Sequence, residues 1–229
     1  MQSVILSEMH LPIREPQLVE IMDAALADAA RRAGDWLVCR AGCTQCCVGA
    51  FSINSLDALR LRAGLAELRL HQPALAAEVT ERARLWLYEF GSTFPGSSTT
   101  GLLGTSEDEV RHFEDFANDA PCPALNPSNG HCDLYRARPM TCRVFGPPVP
   151  IEIEQINAES TDGDSTIPVS ATATARALGH CELCFAGATP EQVAACEMQL
   201  PDALEASLVE ELAAQGLSGE TVVAFALID

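Results

Sequence analysis

Positive charge is scarce in this sequence. Lys and Arg number 14 against 32 Asp and Glu, for a formal charge of -18. Phosphate backbones are gripped by Lys and Arg, so no nucleic-acid partner is expected. An anionic membrane surface would repel the chain. No run of 18 or more apolar residues is present, so no membrane-spanning helix is expected. The first residues, Met1–Glu8, carry neither a basic region nor a long apolar run, and do not read as a secretory signal. The expected location is therefore the cytoplasm, where thiols stay reduced. Histidine is too sparse, at five residues, for a His-based site to dominate. Also missing are a Ser/His/Asp triad pattern, a phosphate loop, a zinc-protease helix and the glycine-rich turn of a dinucleotide fold. Neither internal repeats nor heptads occur.

What is present suits a globular chain. The 229 residues are 48% hydrophobic, enough for one large domain or two small ones. Residues 16–33 have helical periodicity, with Leu18, Ile21, Met22, Ala25, Leu26 and Ala29 on one face and Gly34 as a stop. Val48–Ile53 reads as extended. Asn54 with Asp57 marks the start of a second helix running to about Leu70, and Pro73 opens a third that ends at Phe90 before Gly91. Residues 91–105 are Gly/Ser/Thr-rich and read as a mobile loop. Ser106 with Glu109 is a capping box for a short helix to about Ala117. Residues 120–146 are rich in turns, with a clear one at Asn126–Gly130. Residues 157–175 read as a second loop. Helices are expected over Pro190–Met198 and Pro201–Gln215, and a strand over Thr221–Ile228. The fold class is mainly α: a helical scaffold with cysteine-rich loops and short extended segments docked on it.

Ten cysteines carry the chemistry. At about 4% of residues they fall well below the roughly 8–10% of a disulfide scaffold, and a reducing compartment favours metal over disulfides. Three groups stand out: Cys39-x3-Cys43-x2-Cys46-Cys47, then Cys122-x9-Cys132-x9-Cys142, then Cys181-x2-Cys184. A C-x2-C turn lets two thiolates converge on one centre while its N–H groups face the sulfurs. Adjacent Cys46 and Cys47 are expected to point in different directions, so that they serve two centres or one supports the other. These nine cysteines are the candidate ligands. Cys196 stands alone on a helix and reads as a buried apolar thiol. Arg136, Arg138 and Arg143 accompany the second group, and Arg138 and Arg143 are candidates for charge-assisted hydrogen bonds to a bound cofactor. His131 and His180 each precede a cysteine and are weaker candidates.

Residues Cys43-x2-Cys46-Cys47, Cys122-Pro123-Ala124-Leu125 and Cys132-Asp133-Leu134-Tyr135-x2-Arg138-Pro139-x2-Cys142-Arg143 resemble the YkgJ-type cysteine-cluster family, which is regarded as chelating zinc or iron. The likeness covers residues 39–146. It departs from the family pattern at the first spacing, C-x3-C where C-x2-C is usual, and at Leu134 where isoleucine is usual. Some relatives resemble parts of flagellin lysine-N-methylase, but nothing else here suggests a methyl-donor site. The resemblance implies metal binding more firmly than any reaction. The organisation expected is an N-terminal helix over residues 1–38, a metal-binding domain over 39–146 with a helical insert, and an extension over 147–229. Two functional classes follow. One is an iron–sulfur protein with a redox or electron-transfer role, working with a redox or other protein partner; an iron–sulfur oxidoreductase falls within it. The alternative is a zinc-stabilised structural or protein-binding module.

Overall fold

The structure is a computed structural model that describes residues 10–40, 42–155 and 173–228. The chain is mainly helical with several short strands. It divides into two compact units. The first comprises Met1–Asp23, Arg40–Phe145 and Pro201–Asp229; the second comprises Ala24–Cys39 and Gly146–Leu200.

Helix α1, Glu15–Ala33, forms where the apolar periodicity and the closing Arg31 and Arg32 favour it. In the first unit, strand β1 (Ser52–Asn54) leads into helix α2 (Ser55–His71), and Gln72 alone separates α2 from α3 (Pro73–Phe90). The N-cap is the one read from the sequence: Asn54 accepts a hydrogen bond from the Asp57 N–H at 3.0 Å. The Asn54 side chain also donates through Nδ2 to Glu205 on helix α7 (Asp202–Ala214) at 3.0 Å. Replacing Asn54 by Ala removes both bonds and is expected to destabilise the first unit by about 1–2 kcal/mol. A denaturant midpoint unchanged from wild type would show that the cap carries no stability.

One core cluster joins Leu61 and Leu65 of α2 with Ala76, Val79 and Ala83 of α3, and with Ala124 and Leu134 from the cysteine-bearing loops. A neighbouring cluster is aromatic, with Phe116 meeting Trp86 and Phe94 edge-on at 5.7 and 5.8 Å. Gly64 lets α2 lie directly on the 3-10 turn Tyr135–Ala137, since a Cβ there would stand 2.2 Å from the Ala137 Cβ.

Several expectations change. Segment 91–105 contains a two-stranded hairpin, β2 (Gly96–Ser97) paired with β3 (Leu102–Leu103). Its Gly101 packs on the Phe225 ring and accepts a hydrogen bond from Thr221 at 2.6 Å. Helix α4 keeps its capping box but spans only Glu107–Glu114. The expected terminal strand is a strand for three residues only, β6 (Glu220–Val222), which pairs antiparallel with β1 and then turns into helix α8 (Val223–Ala226). Val222, Val223, Ala224, Ala226 and Leu227 are all buried, so their pattern favours neither period.

The second unit contains a hairpin that the sequence does not suggest. Strand β4 (Val149–Gln155) pairs antiparallel with β5 (Ala173–Gly179), with Val149 opposite Gly179. Pro150 within β4 argues against a strand and is tolerated because β4 has only one partner. Of the loop expected over 157–175, residues 157–172, including Asp162-Gly163-Asp164, lie outside the described residues. Helix α6 is Pro190–Ala195, so Cys196 is its cap rather than part of a helix reaching Met198.

Candidate metal centre

The first unit brings two of the three cysteine groups side by side. Cys46 and Cys47 lie on a 3-10 turn, Gln45–Cys47. The Cys122 N–H donates to the Cys47 carbonyl at 2.8 Å, Val48 bridges Pro121, and the Gly49 N–H donates to the Ala120 carbonyl at 2.8 Å. At the Cys-Pro-x-Leu turn, the N–H groups of Ala124 and Leu125 point at the Cys122 sulfur. The chain then reverses at Asn126–Gly130, where the Asn126 N–H meets the His131 carbonyl at 2.8 Å, and returns with Leu125 bridged to Cys132. The Cys132 sulfur accepts from the Leu134 N–H.

Cys142 sits on a short helix, α5 (Met140–Val144), whose placement depends on buried charge. The Met140 N–H donates to the Asp57 carboxylate at 3.0 Å, and Arg60 binds both Asp57 and Glu15. Arg82 of α3 ties the other two cysteine segments together. It donates to the Pro123 carbonyl at 2.8 Å and to Asp133 at 2.6 Å, and Asn126 holds the other Asp133 oxygen at 3.1 Å. Asp57, Arg60, Arg82 and Asp133 were not legible as site residues. Asp133 alone carried a signal, since it lies inside the cysteine motif.

The thiols sense one another. The Cys47 sulfur, hydrogen-bonded to Cys46, raises the Cys46 thiol pKa most, and burial adds to this. Burial pushes Cys122 up to about 12 against the pull of its two N–H donors, with Cys132 and Cys46 adding to the rise. Burial also raises Cys132 and Cys142, and Cys142 feels Cys122, Cys46 and Cys132 in turn. Cys46 and Cys47 interact although neighbouring side chains on a 3-10 turn step by about 120°.

This donor set suits a thiophilic cation. Several soft sulfurs lie within electrostatic reach of one another, N–H groups are aimed at two of them, and Arg138 lowers the cost of charge on Cys46 and Cys132. As the side chains stand, no group of three or more His, Cys, Asp or Glu among the described residues is arranged to hold a metal ion. Burial and mutual repulsion favour the protonated form of Cys46, Cys122, Cys132 and Cys142, and metal binding would have to displace those protons.

The remaining candidates separate. Arg138 stacks on the Tyr135 ring at 4.0 Å and faces the sulfurs. Arg143 is buried and engages Asp23 at 2.6 Å and the Arg136 carbonyl, so it braces the turn from within. Cys43 lies on the loop before the 3-10 turn, its N–H donating to the Arg40 carbonyl. His131 Nε2 lies against the adjacent Gly42. A groove of about 690 Å3, walled in part by Arg82, Leu85, Phe90 and Asp119, reaches Cys122. Cys39, Cys181 and Cys184 belong to the second unit, with Cys196. His180 donates through Nδ1 to the Cys181 carbonyl at 3.0 Å.

The model of the CxxCxxCC family, described as a zinc- or iron-chelating domain, matches residues 38–162. The chain belongs to the CxxCxxCC family. No curated protein and no solved structure matches it. The CxxCxxCC match takes in Cys39 through Cys142 and ends before Cys181, Cys184 and Cys196. Among the described residues of this CxxCxxCC member, no helix is long and apolar enough to cross a membrane.

Proposed function

We propose that the first unit holds an iron–sulfur cluster and that the protein has a redox or electron-transfer role in the cytoplasm, exchanging electrons with a protein partner. The observation behind this reading is the gathering of Cys46, Cys47, Cys122, Cys132 and Cys142 in one neighbourhood. Cys46, Cys122, Cys132 and Cys142 would hold the cluster, with Cys43 and Cys47 beside them. When bound, such a cluster supplies an electron-transfer couple tuned by hydrogen bonds to its sulfurs. The chain's own contribution is to aim the Ala124, Leu125 and Leu134 N–H groups at Cys122 and Cys132, and to keep Arg138 at the site. A zinc-stabilised module is the second reading. It is favoured by Cys46, Cys122, Cys132 and Cys142, whose number equally matches the ligand count of a closed zinc site.

Protein purified without oxygen decides between them. Iron and acid-labile sulfide in stoichiometric amount, with a brown colour that bleaches on reduction, is the expected result. Colourless protein carrying zinc at these cysteines would favour the second reading. Neither metal above a small fraction would overturn both.

A further inference from the structure

The second unit poses its own question, independent of what the first unit binds. Four cysteines from three separate segments meet there: Cys39, the Cys181/Cys184 pair and Cys196. Cys181, Cys184 and Cys196 are 8%, 1% and 5% exposed, and they make up three of the five buried residues of this cluster, with Ala33 and Phe185. A single thiol packs as a small hydrophobe, but Val or Leu would bury more surface, so packing alone does not call for three cysteines among five core residues.

The backbone is arranged around the sulfurs. The N–H groups of Val38 and Cys39 are directed at the Cys184 sulfur, and the Cys181 and Cys184 thiols hydrogen-bond each other. The Cys184 N–H closes the C-x2-C turn on the Cys181 carbonyl at 2.9 Å. Phe185 then takes φ +59°, a conformation bulky residues avoid, and donates to the Trp36 carbonyl at 2.9 Å. Gly146, at φ +123°, joins two ligand segments. Its carbonyl accepts from the Cys181 N–H at 3.3 Å, while a Cβ on it would stand 3.4 Å from the Cys39 Cβ. Cys196 is fixed from both sides, because the Arg32 guanidinium donates to the Ala195 carbonyl at 2.5 Å and the Glu197 carbonyl at 2.8 Å.

We infer that Cys39, Cys181, Cys184 and Cys196 form a second, tetrathiolate centre that binds one zinc ion and stabilises the second unit. Four thiols lose their protons to solvent and four sulfurs bind Zn2+, with no electron transferred; the complex carries a net charge of -2. The Cys181 and Cys184 thiols now stand as hydrogen-bonded neighbours and no three of the four are placed to hold an ion, so binding includes rotating the side chains onto it. A unit with so small a core and a single hairpin among its described residues is one that a metal would stabilise. Cys196 thus becomes a ligand and not a bystander.

The test uses the full chain, with zinc and iron measured per molecule. The wild type is expected to hold about one zinc that Cys46→Ser and Cys142→Ser leave in place. Cys196→Val keeps an apolar side chain of similar size but offers no ligand, and is expected to lose that zinc. Cys196→His offers a nitrogen ligand and is expected to retain most of it. Hydrogen exchange over residues 146–155 and 177–200 should quicken in the Val variant and on zinc removal from the wild type. Zinc retained in Cys196→Val at the wild-type level would overturn the centre. So would purified protein whose mass shows a Cys181–Cys184 disulfide and no zinc. Loss of iron alone, or of one zinc out of two, in the Cys46 and Cys142 variants leaves this inference intact, whereas loss of all zinc from them overturns the separation of the two centres.

Discussion

Cys142→Ser is expected to leave the first unit without its metal. Serine is close to cysteine in size, so α5 and its Asp57 anchor should survive the change. Its hard hydroxyl is a poor ligand for iron or zinc. Cys142 is the most telling position because its thiol feels Cys122, Cys46 and Cys132 together. Affinity should fall by roughly 10–100-fold or more, so that protein purified in the presence of chelator carries little metal. Cys46→Ser, Cys122→Ser and Cys132→Ser should behave alike. Metal binding in the wild type should raise the unfolding midpoint of the first unit, because a site absent from the unfolded chain adds its binding energy to folding. The variants should lose that increment. Elemental analysis with parallel thermal unfolding checks both. Full metal content in Cys142→Ser and Cys122→Ser alike would remove the assignment.

Arg60→Met should be the most destabilising change away from cysteine. Arg60 is 4% exposed and bonds Asp57 and Glu15, which are 2% and 6% exposed. Removing the guanidinium leaves two buried carboxylates without their cation, at a cost of about 3–5 kcal/mol. The pH dependence has a definite sign. Burial already holds the Asp57 carboxyl above its usual range even beside Arg60. A raised carboxyl binds its proton more readily folded than unfolded, so its contribution to stability falls as pH rises through the raised value. Loss of Arg60 should push Asp57 higher still, and the deficit of Arg60→Met should therefore shrink in mild acid. Urea midpoints of metal-free protein across pH will show this. A deficit that grows on acidification contradicts the account. Asp57→Asn should cost less, because the amide oxygen can still accept the Met140 N–H.

The same residues show why part of the architecture could be read directly from the chain. The Asn54 cap, the Pro73 start and the Ser106/Glu109 capping box are local contacts spanning three or four residues, and all are found where expected. The hairpin at 96–103 was hidden because its glycines report small size alone, while close packing is their purpose: a Cβ at Gly104 would stand 2.0 Å from the Glu109 carboxyl carbon. The β4–β5 hairpin was hidden by Pro150 and by the long gap between its strands.

Chemistry and grouping divide in the same way. Family membership was written in the spacing: Cys43-x2-Cys46-Cys47, Cys122-Pro123 and Cys132 to Cys142 identify the family unaided. Short motifs encode the turns that aim N–H groups at sulfur, and those turns form wherever the motif stands. The grouping of cysteines was decided by tertiary structure. Cys39 lies four residues from Cys43, yet Cys39 clusters with Cys181, Cys184 and Cys196, while Cys46 and Cys47 meet Cys122. Linear spacing cannot express this, because partners more than a hundred residues apart are chosen by which buried faces and charges can be satisfied together. Arg32 around Cys196, and Arg60 beneath Asp57, are the side chains that make those choices.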